Sequence, residues 1–221
     1  MNYDQIMELD NVTVQDCIDM YNMKGMVTIC NDGKSSRIRK GERTRMVKHA
    51  KFSKVSYEQF KSAITTCVLN SNVTYNFETT DKFIQSLYDN IKLPKRATSG
   101  SAGYDFYAPV SIKLNPGEDI VIPTGIRCEM NENLALLIYP RSGLGFNYIR
   151  LANSTGIIDS DYAFSDNEGH IMIKIRNESK DKTLIIEEGK GCAQGVFSAY
   201  YRTDDDEVTK TRNGGFGSTT K

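Results

Sequence analysis

The chain has 221 residues, with 28 Lys and Arg against 28 Asp and Glu, and 39% of them are hydrophobic. Balanced charge excludes a globally basic nucleic-acid binder and a polyacidic tail, and this hydrophobic share excludes wholesale disorder. Glycine and proline are uneven: residues 1–90 hold three of the 17 Gly and none of the five Pro, so two kinds of chain meet near residue 91.

The opening MNYDQIMELDN is acidic and polar, unlike a secretory leader, and no apolar run reaches the length of a membrane span. Thr13 caps a predicted helix with Val14, Cys17, Ile18 and Tyr21 on one face, ended by Gly25. MVTIC, 26–30, reads as a strand that turns at Asp32-Gly33 toward a second strand around 37–39. Nine cations (Lys34, Arg37, Arg39, Lys40, Arg43, Arg45, Lys48, Lys51 and Lys54) crowd 34–54 against one Glu. Two readings stand: the solvated face of a small hairpin and its linker, or a patch for phosphate backbone or a partner. Single-strand binding is disfavoured, because aromatic residues are not interleaved there. Ser56, with Gln59 three residues on, opens a second predicted helix bearing Tyr57, Phe60, Ile64 and Cys67. An Asn/Ser loop at 70–72 and an alternation through Val73, Tyr75 and Phe77 follow, and Thr80 caps a helix bearing Phe83, Ile84, Leu87 and Tyr88.

Beyond Pro94 short strand-like runs recur at 110–114, 120–123, 134–139, 171–175, 183–186 and 196–200, with an Asn115-Pro116-Gly117 turn after the first. Many short strands at regular spacing predict an antiparallel barrel or jelly-roll. The acidic run 204–207 reads as a linker to a detached C-terminal arm. Five cysteines (17, 30, 67, 128 and 192) form no CxxC pair and sit among apolar neighbours, so buried free thiols are expected. His49 and His170 are far apart, which leaves no His-rich metal site. The expected localisation is cytoplasmic.

GxxxxGK[ST], HExxH and GxSxG are all absent. What remains is a series of polar clusters set in β texture. Arg141, Ser142 and the Gly143 amide offer a cation, a hydroxyl and a backbone donor suited to phosphate oxygens. Asp159 follows Gly156-Ile157-Ile158 and reads as a carboxylate projecting into a pocket, as a general base would. The arm combines Arg212, glycines, Phe216, Ser218 and Thr219, a set able to fold over a ligand. Taken singly, each has an ordinary structural meaning: a turn, a hairpin bend, a frayed end.

In this order, GSAGYDFYA (100–108), PRSGLG (140–145), NSTGIIDSDY (153–162), GKGCAQGVF (189–197) and RNGGFGSTT (212–220) resemble the five motifs of the trimeric deoxyuridine triphosphatases (dUTPases). LPKRAT, 93–98, matches the family's usual opening. The resemblance, to bacterial and phage-type members with an N-terminal extension, is strong over 91–221, extends to 50–90 as a leading extension and hardly touches 1–48. It implies an all-β fold, a jelly-roll-like barrel (β-clip), preceded by a small α+β N-terminal extension. The organisation expected is an accessory α+β extension at 1–48, a helix-and-strand lead-in at 49–90, the barrel at 91–203 and a flexible arm at 204–221 closing over the active site.

By the same resemblance the protein is a dUTP diphosphatase, a homotrimer with active sites shared between subunits, cleaving dUTP to dUMP and pyrophosphate. Mg²⁺ rides on the triphosphate and waters, with no direct protein ligand expected. Asp159 corresponds to the carboxylate that activates the water attacking the α-phosphorus. Tyr162 matches the residue packed on the deoxyribose. Asn153 and the backbone of Gly156, Ile157 and Ile158 match the hairpin that reads uracil, and Met172 a backbone contact beside it. Arg141, Ser142, Gly143 and Gln194 match phosphate and water ligands, and Asp105 a carboxylate near metal and phosphates. Phe216 matches the ring that covers the base, with Arg212, Gly217, Ser218 and Thr219 closing on the phosphates.

The chain departs from the commonest family pattern in several places. Ala163 to Glu168 intervene before Gly169 and read as a surface insertion beside the uracil pocket. Gly191 stands where an Arg is usual. The fifth motif is one residue short and ends in Thr220 where Gly is usual. Two alternatives accompany the main reading: a deoxycytidine triphosphate deaminase of the same fold, and a phage-type regulatory dUTPase that binds a protein partner through residues 1–90. Nucleic acid and membrane are not expected partners.

Overall fold

The computed structural model describes residues 26–31, 34–39, 50–69 and 80–209, and the chain divides into two units, 1–48 and 49–221. In the first unit, strands β1 (Met26–Asn31) and β2 (Lys34–Arg39) pair antiparallel, Asn31 opposite Lys34. The turn expected at Asp32-Gly33 lies outside the described residues. The helix expected after Thr13 and the alternation at 73–77 lie outside the described residues.

The second unit begins with β3 (Ala50–Lys54), which pairs antiparallel with β8 (Ile126–Met130). Phe52 on β3 packs its ring 5.4–5.7 Å from Tyr104, Phe106 and Phe197. Two residues of the basic stretch thus belong to a barrel strand, not to a linker. One of them, Lys54, donates to Tyr88 O (2.7 Å) and Asp89 O (3.0 Å), satisfying carbonyls that end helix α2 (Asp81–Asn90). Helix α1 (Tyr57–Leu69) starts as its capping residues dictate, with Ser56 Oγ accepting from Gln59 N at 3.1 Å. Thr80 caps α2. Phe60 and Ile64 of α1 and Ile84 and Leu87 of α2 are buried in one core with barrel residues such as Ile122, Ile126 and Ile171, so the helical lead-in and the barrel share their interior.

The remaining strands are β4 (Lys95–Arg96), β5 (Tyr104–Tyr107), β6 (Ile112–Leu114), β7 (Asp119–Pro123), β9 (Leu134–Tyr139), β10 (Ile149–Leu151), β11 (Gly156–Ile158), β12 (Met172–Asn177), β13 (Leu184–Ile186) and β14 (Gly191–Ala199). A four-residue helix, α3 (Ser142–Gly145), and a 3₁₀ turn, Ser160–Phe164, interrupt them. The sheets run β11-β9-β14-β5-β4, β10-β12-β7, β13-β6 and β3-β8. Alternation drives the pairing: along MIKIRN of β12 the isoleucines are buried and Lys174 and Arg176 exposed. The Asn115–Glu118 turn is closed by Glu118 N donating to Asn115 O (3.1 Å), and Gly117, at φ +81°, fills the position that a type II turn reserves for glycine. Asn177, fully buried, donates to Leu114 O and Lys182 O and accepts from Ser179 N and Oγ, pinning the β6 and β13 ends to β12.

Candidate active site

Three clefts hold the described residues singled out from sequence, Tyr162 excepted. The first, about 700 Å³, is lined by Asp105, Arg141, Ser142, Gly143, Gly191 and Gln194 among others. Strand register assembles it: Gln194 of β14 sits opposite Asp105 of β5 on one side and Tyr139 of β9 on the other, two residues before Arg141. Arg141 Nε donates to Asp105 Oδ1 (2.9 Å) and Nη2 to Oδ2 (3.3 Å), a bidentate pair, and Gln194 Nε2 donates to Pro140 O (3.0 Å). Gly191 permits this arrangement. A Cβ there would stand 2.5 Å from Arg141 Nη1 and 2.8 Å from Cζ, so the guanidinium lies directly on bare backbone. In α3 the first amide to bond back belongs to Leu144, donating to Arg141 O, so the helix does not use the Ser142 and Gly143 amides.

The second cleft, about 570 Å³ and largely apolar, is lined by Asn153, Gly156, Ile157, Ile158 and Met172, together with Ile138 and Lys174. Every residue expected to read the base, the covering arm aside, is in it. Sequence reasoning missed Val121, Ile138, Leu151 and Lys174 here; alternation from Met172 along β12 signals Lys174, whereas the other three come from neighbouring strands that no local pattern identifies. The third cleft, about 730 Å³, holds Asp159, Asp161, Glu132 and Arg202, and shares Ile157 with the second. Ile157 is 64% exposed on the ridge between the two. Tyr162 lines none of these clefts. It is 4% exposed, and its hydroxyl donates to His170 O at 2.8 Å, which leaves little of the ring for a sugar to touch. Arg212, Phe216, Gly217, Ser218 and Thr219 lie outside the described residues.

Asp159 and Arg141 lie far apart along the sheet. Ile158 pairs with Leu136 of β9, and continuing that register sets Asp159 level with Ala135, six residues from Arg141. At about 3.3 Å per residue the two lie roughly 20 Å apart along the sheet.

The insertion after Tyr162 departs from the surface loop expected. Phe164 and Asp166 are exposed, but Ala163 and Ser165 are buried and Asn167 and Glu168 half-buried, and Glu168 is bound by Ser56 through its backbone N (2.7 Å) and Oγ (2.6 Å). Hydrogen bonds from Ser56 hold the Glu168 carboxyl below the usual range. Burial pushes the His170 imidazole down to about 4, and burial raises the thiols of Cys128 and Cys192 to about 12. Among the described residues, no three His, Cys, Asp or Glu side chains are grouped to hold a metal, and no helix is long and apolar enough to cross a membrane.

A small antiparallel barrel with an apolar cleft, a separate Arg–Ser–Gln cleft and an aspartate-bearing one has the parts of a nucleotide-processing enzyme. Residues 89–220 match the sequence model of the dUTPase family, and the chain belongs to that family. It is 42% identical over 133 residues to the deoxyuridine 5'-triphosphate nucleotidohydrolase of Lactococcus lactis, covering 58% of this chain and 88% of that one. It is 43% identical over 138 residues to the Haemophilus ducreyi enzyme, covering 58% and 87%. Among solved structures, the dUTPase from Streptococcus mutans aligns with a TM-score of 0.47 at 34% identity, over 51% of this chain and 88% of that one.

Proposed function

We propose that the chain hydrolyses dUTP to dUMP and pyrophosphate in active sites completed between copies of itself. The observation that carries the shared site is the separation of roughly 20 Å along β9 between Asp159 and Arg141. One α-phosphate cannot meet both on the same chain, whereas a neighbouring copy can present its Asp159 to this cleft. A closed ring of identical subunits satisfies that requirement at every site, and the family's trimer is such a ring.

In this reading uracil enters the apolar cleft, where the β11 backbone and Asn153 read its polar edge. Arg141, Ser142, the Gly143 amide and Gln194 receive the phosphates. Asp159 takes a proton from a water as its oxygen bonds to the α-phosphorus; the bond to the α,β-bridging oxygen breaks and pyrophosphate leaves. Little covalent help is needed, so positioning and charge neutralisation carry most of the rate. Asp105 is engaged by Arg141, and the described carboxylates form no cage, a donor set that suits a Mg²⁺ ion carried in on the triphosphate. Such an ion supplies neutralisation of the charge on the leaving pyrophosphate. Phe216, Arg212, Gly217, Ser218 and Thr219 are proposed to close over base and phosphates, and the working compartment is the cytoplasm. Asp159→Asn tests the reading: pyrophosphate release from dUTP is expected to fall by about 10³-fold or more while dUTP still binds. Wild-type turnover in that variant, or ammonia from dCTP without pyrophosphate from dUTP in the unaltered protein, would overturn it.

A further inference from the structure

One charged residue lines the apolar cleft. Its other lining is buried Ile138, Leu151, Ile158 and Ile173, half-buried Val121 and Met172, and the Asn153 hairpin; Lys174 alone brings a charge, and no described carboxylate lines it. Alternation along β12 sets Met172, Lys174 and Arg176 on one face, and the register puts Lys174 opposite Val121 and Arg176 opposite Asp119 of β7. Lys174 therefore stands about 7 Å along the strand from Met172. Its Nζ lies 2.9 Å from Asp119 Oδ1, and Arg176 Nη1 lies 3.9 Å from Oδ2 of the same carboxylate. A single carboxylate shared by two cations leaves positive charge over, and an ammonium has further N–H donors beyond the one that Asp119 takes. The Lys174 side chain is 48% exposed, so the ion pair does not bury its head. The next charges on this face, Arg150 and Glu178, pair with each other at 2.8 Å.

An apolar cleft by itself holds one pyrimidine much like another, because uracil and cytosine share size and shape. They differ at position 4, where uracil has a carbonyl that accepts hydrogen bonds and cytosine an amino group that donates them. A cation favours the first and repels the second, whereas a carboxylate would choose the other way. We infer that Lys174 is a specificity-determining residue for the base: its ammonium, steadied by Asp119, donates to the 4-carbonyl oxygen of a uracil in the apolar cleft and disfavours cytosine. The inference deepens the function proposed above and rests on it. It adds a charged contact, from a residue outside the five motifs, to those of Asn153 and the β11 backbone.

The experiment compares the full chain with Lys174→Met, which keeps an unbranched stem without the charge, Lys174→Arg, which keeps the charge, and Arg176→Met. Arg176 shares Asp119 but does not line the cleft, so it is the control for general attraction by surface charge. Calorimetry gives the dissociation constants of dUMP and dCMP, and pyrophosphate release gives kcat and KM for dUTP. Lys174→Met is expected to weaken dUMP about ten-fold while dCMP binds as before, with the KM for dUTP rising and kcat kept, since the contact is the same before and during the reaction. Lys174→Arg should keep most of the preference for dUMP and Arg176→Met all of it. An unchanged dUMP-to-dCMP ratio in Lys174→Met overturns the inference. So does an equal loss of both nucleotides, or a matching loss in Arg176→Met, either of which makes Lys174 a general attractor of phosphate charge. Binding of dUMP needs no hydrolysis, so the two readings fail separately: normal turnover in Asp159→Asn removes the proposed chemistry, whereas an inactive Asp159→Asn beside an unchanged ratio in Lys174→Met removes the base contact alone.

Discussion

Replacing His170 by Gln removes one titration from the folded protein, and its size follows from the imidazole's surroundings. The ring is fully buried, sits 6.5 Å from the Phe60 ring and accepts the Gly125 amide through Nε2. Burial is the largest influence and drives the pKa down to about 4, with Glu168 pulling weakly the other way. An unfolded chain binds a proton at this ring near pH 6.5, so between pH 6.5 and 4 the unfolded state carries the proton and the folded state does not. Stability therefore rises with pH across that window, is fully present above about 6.5 and is lost as pH falls toward 4. At 1.36 kcal/mol per pH unit the full interval comes to about 3 kcal/mol, and the part between pH 7.5 and 5 to about 2 kcal/mol. Glutamine accepts the Gly125 amide without titrating. Urea unfolding of both proteins at pH 7.5 and pH 5, at one protein concentration because association shifts stability, should show the wild type losing about 2 kcal/mol more than His170→Gln. Parallel pH profiles would refute the argument.

Gly191→Arg restores the side chain common in the family but drives it into the Arg141 guanidinium. The KM for dUTP is expected to rise about ten-fold with kcat largely kept, and steady-state kinetics showing an unchanged or lower KM would count against the packing described. Deleting residues 1–48 should leave turnover and melting temperature intact, since the second unit starts at His49. Deleting residues 1–90 should abolish folding. Burying Phe60, Ile64, Ile84 and Leu87 is worth about 1.5–3 kcal/mol each, a sum comparable with a whole domain's stability. Circular dichroism of the two shortened chains separates these outcomes.

Local chemistry makes much of the fold legible in the amino-acid sequence. Ser56, Gln59 and Thr80 announce helices α1 and α2, because a cap is made by residues a few positions apart. Asn115-Pro116-Gly117 announces its turn for the same reason. Strands with clean alternation, such as Met172–Asn177, stand out, whereas β3 does not: Lys51 and Lys54 draw it into the basic stretch, and only pairing with β8 reveals its register. Motif residues can be picked out singly, but their division among three clefts depends on which strands are neighbours, and that is long-range information. Gln59 is the instructive case. Its spacing from Ser56 marks a cap correctly, yet the amide it should satisfy is taken by Glu168, which no local pattern foretells.

Strand β3 has a meaning beyond the core it helps to fill. Among the described residues it is the only strand paired with β8, whose Ile126 and Cys128 are buried. Take it away and β8 keeps the bond from Ile171 N to Ile126 O but loses its strand partner, leaving on that side a row of unsatisfied amides and carbonyls of the kind that recruits another chain. The span that matches the family begins at residue 89, so the strand that guards this edge is supplied from outside it. Without residues 50–54, that side of β8 would lie open to another chain.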